Sequence, residues 1–270
     1  MKYLSITSWF FAGLISVASA QSKLGDVACV YVTSSNTDSS LAVYEKLGFA
    51  KKAASAYPAP WVQVSDGSLL IMMRKDNTPY CGLTYYAQDV EKIVAQLEHD
   101  SIAFDQKPKP GDAIKRYYIK TPDGFNIVLS NNLGQFTQPS GTTLLNMNQA
   151  DYNTAGKYPN RQCGVFGEFA HPVTDIKKSV AFWKRLGFTV KAEMKAPYPH
   201  AILSDGLMII GLHQTSHFNY PAVTYFGINT SQRIEDLKKA GLKGLSAFGG
   251  PSNAVLQTWE GQHFFIFSLY

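Results

Sequence analysis

The sequence predicts an α+β protein built from two tandem copies of one domain, and three observations predict it. Ser40-Leu41-Ala42-Val43-Tyr44-Glu45-Lys46-Leu47-Gly48-Phe49 returns as Ser179-Val180-Ala181-Phe182-Trp183-Lys184-Arg185-Leu186-Gly187-Phe188, an offset of 139. Pro58, Pro60, Ser65, Asp66 and Gly67 return as Pro197, Pro199, Ser204, Asp205 and Gly206 at the same offset, and Thr84-Tyr85-Tyr86 is echoed by Thr224-Tyr225-Phe226. Each copy also alternates short apolar, β-branched runs with runs of helical period. A near-constant offset over many matches is the mark of duplication.

In the first copy, Val27–Thr33 is apolar and β-branched, which predicts a buried strand. Thr37 or Asp38 can cap a helix that places Leu41, Tyr44 and Leu47 on one face, and Gly48 ends it. Strands are expected over 49–55, 61–65 and 69–74, with Asp66-Gly67 as the tight hairpin between the last two. The pattern then restarts. A strand over 83–87 leads to a helix capped by Asp89 and carrying Val90, Ile93, Val94 and Leu97, then to strands over 113–120 and 125–130. The second copy reads the same way. Strands cover 165–173, 188–194, 201–204, 207–213, 223–228, 255–259 and 263–269. Asp175 caps one helix and another runs over 232–240. The expected order is βαβββ, four times over.

The ends and the composition bound the rest. Lys2, an apolar run from Leu4 to Val17 and the small residues Ala18-Ser19-Ala20 predict a cleaved export signal over 1–20. A secreted or periplasmic protein is therefore expected, with no membrane association after cleavage. The predicted organisation is a first domain over 21–133, a linker over 134–160 rich in Asn, Gln, Thr, Gly and Ser, and a second domain over 161–270. The formal net charge is +5, and removing Lys2 leaves +4 with no basic run, which argues against nucleic acid as a partner. Cys29, Cys81 and Cys163 are an odd set for an exported chain. A Cys29–Cys81 bridge and buried free thiols are both compatible with the sequence. No nucleophile elbow, HExxH motif or phosphate-binding glycine loop is present. Oligomeric state is left open.

Each half resembles the vicinal oxygen chelate superfamily, the group of glyoxalases, bleomycin-resistance proteins and extradiol dioxygenases. The resemblance rests on Val173-Thr174-Asp175 leading into 179–188, on Leu203-Ser204-Asp205-Gly206 leading into Ile210-Gly211-Leu212-His213, and on Thr121-Pro122-Asp123-Gly124-Phe125-Asn126. It implies two tandem glyoxalase-like domains, each a pair of βαβββ modules whose curved sheet encloses a U-shaped cavity. It further implies a divalent metal held by His, Glu or Gln from the first and last strands of each module. In the first half those positions carry Cys29, Arg74, Thr84 and Val128, so no metal is expected there. In the second half they carry Glu168, His213, Thr224 and Phe265. Glu168 and His213 are thus the candidate metal ligands and catalytic residues, while His200, Thr224, Tyr225 and Phe265 are the candidate pocket wall. The functions implied are a small-molecule site in the second half, with one divalent metal supporting lyase or isomerase chemistry, or with no cofactor and binding or sequestration alone.

Overall fold

The computed structural model describes residues 22–76, 81–131, 134 and 136–270. The expected export signal lies outside the described residues. The elements of the first half are β1 (Val27–Thr33), α1 (Thr37–Lys46), β2 (Ala50–Ser55), β3 (Trp61–Ser65), β4 (Leu70–Arg74), β5 (Cys81–Ala87), α2 (Val90–His99), β6 (Arg116–Lys120) and β7 (Asn126–Asn131). The second half has β8 (Val165–Pro172), α3 (Ile176–Arg185), β9 (Thr189–Met194), β10 (His200–Ser204), β11 (Ile209–His213), β12 (Ala222–Gly227), α4 (Thr230–Lys239), β13 (Leu245–Ala247), β14 (Ala254–Gln257) and β15 (His263–Ser268). No helix among the described residues is long and apolar enough to cross a membrane.

Each half is one mixed sheet, ordered β2-β3-β4-β1-β5-β7-β6 and β13-β14-β15-β12-β8-β11-β10-β9. The first strands of the two modules pair antiparallel at the sheet centre, Cys29 opposite Thr84 and Glu168 opposite Thr224. Each first strand also pairs parallel with the last strand of its own module. The βαβββ order holds in three modules. The second ends in two strands and a single bridge, Gln106 to Tyr118. Pro108 and Pro110 lack the N–H that a ladder needs, and Gly111 sits at a φ of 91°, so the chain cannot extend that pairing.

Helix ends follow the sequence closely, with one shift. Asp89 and Asp175 accept from Lys92 N and Lys178 N as caps. The first helix is capped by Asn36, which accepts from Asp38 N and Ser39 N, one residue before the expected caps. Gly48 adopts a φ of 88° after the last turn, a conformation that costs a side chain dearly and glycine little.

Alternation divides each sheet. Ala28, Val30 and Val32 join one core with Tyr44 and Leu47 from α1, whereas Val27, Cys29 and Tyr31 face the other way. The helix-bearing faces of the two halves meet, so that one core runs through Tyr44, Phe49, Tyr225 and Phe264. Two duplicated aspartates fasten this meeting reciprocally. Tyr85 Oη donates to Asp205 Oδ2 at 2.7 Å, and Tyr225 Oη donates to Asp66 Oδ2. The linker is packed against both halves. Gln138 accepts from Ala28 N at 2.8 Å and donates to Leu207 O at 2.9 Å, and Leu144 N donates to Phe166 O at 2.8 Å. Cys29 and Cys163 are buried free thiols, so Cys29 forms no bridge.

Candidate functional site

The faces turned away from the shared core carry the candidate sites, and the two halves differ there. In the second half, Glu168 on β8 and His213 on β11 point to the same side, and the structure brings them together. Glu168 Oε1 lies 2.8 Å from His213 Nε2, with both side chains buried. Gly211 makes the approach possible, because a Cβ there would stand 1.9 Å from Glu168 Oε2 and 2.7 Å from His213 Nε2. His213 Nδ1 is buried without a hydrogen-bond partner. His200, opposite His213 in the ladder, stacks on it at 5.6 Å. Burial holds the His200 imidazole below its usual range. Tyr198 is pushed up to about 12, first by burial and then by the charge of Glu168.

The remainder of this concavity is filled. Phe218 packs on His213 at 5.6 Å and on Phe265 at 5.2 Å, Phe248 lies tilted against Phe265 at 4.8 Å, and Phe267 stacks on Phe265 at 5.1 Å. Thr224 lies fully buried with its hydroxyl unpartnered. Tyr225, expected in the pocket wall, faces the opposite way. Strand alternation sends it into the core between the halves, where it meets Asp66.

The first half, where no metal is expected, holds an open cavity of about 370 Å³. Its register explains the difference. Thr84 pairs with Val128 and Tyr86 with Ser130, where the second half has Thr224 with Phe265 and Phe226 with Phe267. Val and Ser leave the space that two Phe rings occupy in the other copy. Trp61 and Arg74 on paired strands form one wall, with Tyr31, Tyr86 and Tyr118 around them. Phe136, from the linker, meets Trp61 at 5.5 Å and Tyr86 at 4.9 Å, both edge to face.

The cavity is positively charged. Arg116 pairs with Asp76 at 2.7 Å and lies over the Tyr31 ring, while Tyr31 Oη donates to the same carboxylate at 3.1 Å. Arg74 has no carboxylate within ion-pairing distance among the described residues, and the remaining positions of the chain contain no Asp or Glu. Its Nε is buried and without a partner. Burial, above all, raises the Tyr31 and Tyr86 phenols, which therefore stay neutral donors.

No known family model and no curated protein matches this chain. Solved structures do. Homoprotocatechuate 2,3-dioxygenase from Arthrobacter globiformis superposes with a TM-score of 0.57 at 13% identity, over 94% of this chain and 82% of that one. A 2,3-dioxygenase from a Pseudomonas species gives 0.55 at 12% identity, over 93% of both chains. The Mn(II)-bound glyoxalase from Novosphingobium aromaticivorans gives 0.53 at 14% identity, over 92% of this chain and 83% of that one. The chain has the vicinal oxygen chelate fold.

Within that fold the registers confirm which residues stand at equivalent places. Cys29 matches Glu168, Arg74 matches His213, and Trp61 matches His200. The donors present do not complete a resident metal site. Glu168 and His213 bond to each other, while Thr224 and Phe265 hold the other two places. Among the described residues no group of three His, Cys, Asp or Glu side chains is placed to hold a metal. Two donors fall short of the three or four that such sites use.

Proposed function

We propose that this protein binds a small molecule without a resident metal, and that its working cavity is the one in the first half. The observation that carries this reading is that Val128, Ser130 and an unneutralised Arg74 line one cavity where the other copy has Phe265, Phe267 and His213. The cavity volume lies within the range of roughly 300–1,000 Å³ common to small-molecule sites, and aromatic walls with few polar groups are their usual lining. Arg74 stands where a chelating histidine would be required, which supports binding over metal chemistry. The rings of Trp61, Tyr86 and Phe136 offer faces and edges to a planar guest. The reading is one of capture and sequestration.

Substituting Val128→Phe in the first copy imitates Phe265 of the second and fills the cavity from its floor. Anilinonaphthalene sulfonate, an anionic planar dye, is expected to show saturable enhanced fluorescence with the native protein. The variant is expected to lose that binding with its far-ultraviolet circular dichroism unchanged. Unaltered dye binding in a folded Val128→Phe protein places the guest elsewhere and defeats the reading.

A second reading is favoured by one observation, the buried Glu168–His213 pair with an unpartnered His213 Nδ1. A carboxylate that orients an imidazole is a general-base arrangement, suited to the proton transfers of a lyase or isomerase. It requires Phe218 to move away from His213 before a substrate can reach that ring.

A further inference from the structure

We infer that the guest of the first-half cavity is a planar aromatic monoanion, a carboxylate or its equivalent, with its charged group on Arg74 and its ring against Trp61. This inference deepens the ligand-binding reading and rests on it. Charge sets the first half of the argument. The side chains lining the cavity include two guanidinium groups and no carboxylate. Arg116 is already neutralised by Asp76 behind it, so one positive charge, that of Arg74, remains without an acidic partner. Arg74 is half-buried, its Nε is buried without a partner, and a ligand that supplies one negative charge gives that group an acceptor. A neutral guest leaves Arg74 as it is, and a dianion brings one charge too many. The planar guanidinium fork matches the two oxygens of a carboxylate.

Shape sets the second half. Trp61 sits directly across the ladder from Arg74, so an anion on the guanidinium carries its ring beside the indole. Phe136 closes the far side nearly perpendicular to Trp61, at 82°. Tyr86 meets Phe136 at 72°. Rings set edge to face make a slot that admits a flat guest better than a branched one. The Tyr31 proton is committed to Asp76, and the raised Tyr31 and Tyr86 phenols stay neutral and do not oppose the charge of an anion.

Isothermal titration of the full chain with naphthoate and with its neutral amide tests the inference. The native protein is expected to bind naphthoate at least tenfold more tightly than the amide. Arg74→Gln is expected to abolish that preference, lowering naphthoate affinity at least tenfold and leaving the amide within about twofold. Arg74→Lys, which keeps the charge and loses the fork, is expected to fall between them and guards against a folding defect in the first variant. Equal affinity for acid and amide, an unchanged preference in Arg74→Gln, or no binding of naphthoate at all overturns the assignment. Val128→Phe separates the two levels. If it abolishes binding of both compounds while Arg74→Gln changes nothing, the cavity reading stands and the monoanion inference falls.

Discussion

Replacing Asp205 with Ala is expected to destabilise the protein by about 3–5 kcal/mol. The residue does two jobs with its two oxygens. Oδ1 accepts from Leu207 N at 3.0 Å and Met208 N at 2.9 Å, which closes the hairpin between β10 and β11. Oδ2 accepts from Tyr85 Oη at 2.7 Å and Ser22 Oγ at 2.6 Å, which ties the first half and the start of the described chain to the second. Hydrogen bonds to a charged group contribute about 1.5–3 kcal/mol each and are not additive. The substitution also strands the Tyr85 hydroxyl, fully buried in the shared core. Burial, the largest cause of that phenol's raised pKa, persists in the variant, so the hydroxyl cannot escape by ionising. For a chain of this size the loss corresponds to roughly 6–20 °C in melting temperature. Tyr85→Phe should cost about 1–2 kcal/mol. The double variant should fall short of the sum, because the stranded hydroxyl is gone. Urea unfolding of the three variants checks this. A loss below about 1 kcal/mol in Asp205→Ala would show that the reciprocal Tyr–Asp pairs do not hold the halves together.

Acidification from pH 7 to pH 5 is expected to lower stability by about 2 kcal/mol, with His171 as the main cause. His171 is buried among Phe125, Phe169 and Trp183, and neither of its ring nitrogens has a hydrogen-bond partner. Burial, reinforced by His213, lowers its pKa from 6.5 to about 3. The sign follows from which state takes up the proton. Below pH 6.5 the unfolded chain protonates this imidazole while the folded chain does not, so the stability present above pH 6.5 is lost progressively as the pH falls towards 3. His200 and His263, also lowered chiefly by burial, act in the same sense with less weight because they are only partly buried. His171→Leu replaces the ring with an apolar group of similar size and should flatten most of this slope. Melting curves at pH 7 and pH 5 for both proteins decide it. An equal acid loss in the variant would remove His171 from the account.

The sequence was legible where short-range chemistry or duplication governed the outcome. Asp89 and Asp175 cap helices because a short carboxylate reaches the free N–H groups of the first turn, a purely local effect. The offsets of 139 and 140 between copies reappear as matching registers, Cys29 opposite Thr84 and Glu168 opposite Thr224. Glu168 and His213 are brought together by the family resemblance, which implies ligand positions on the first and last strands of a module. The filling of their concavity was not legible, because Phe218 comes from a loop whose fold has no periodic signal. The same holds for Phe136, which closes the first-half cavity from a segment that reads as a linker. The three-residue strand β13 is too short to show an alternation. Tyr225 lies on the core face, opposite to the expectation, because only one of the adjacent strand residues Thr224 and Tyr225 can face a cavity. Arg74 was visible as the replacement for a chelating position. Its freedom from any carboxylate is a three-dimensional fact.

Anomalous diffraction from one crystal of the chelator-treated protein, soaked with Mn(II) and bromonaphthoate together, tests the central claim most directly. The claim is that the first half has become the binding site and the second half has lost its chelate. A bromine peak within the cavity beside Arg74 and Trp61, with no manganese peak between Glu168 and His213, is the predicted result. A manganese peak on Glu168 and His213, or bromine lodged in the second half with Phe218 displaced, would contradict it.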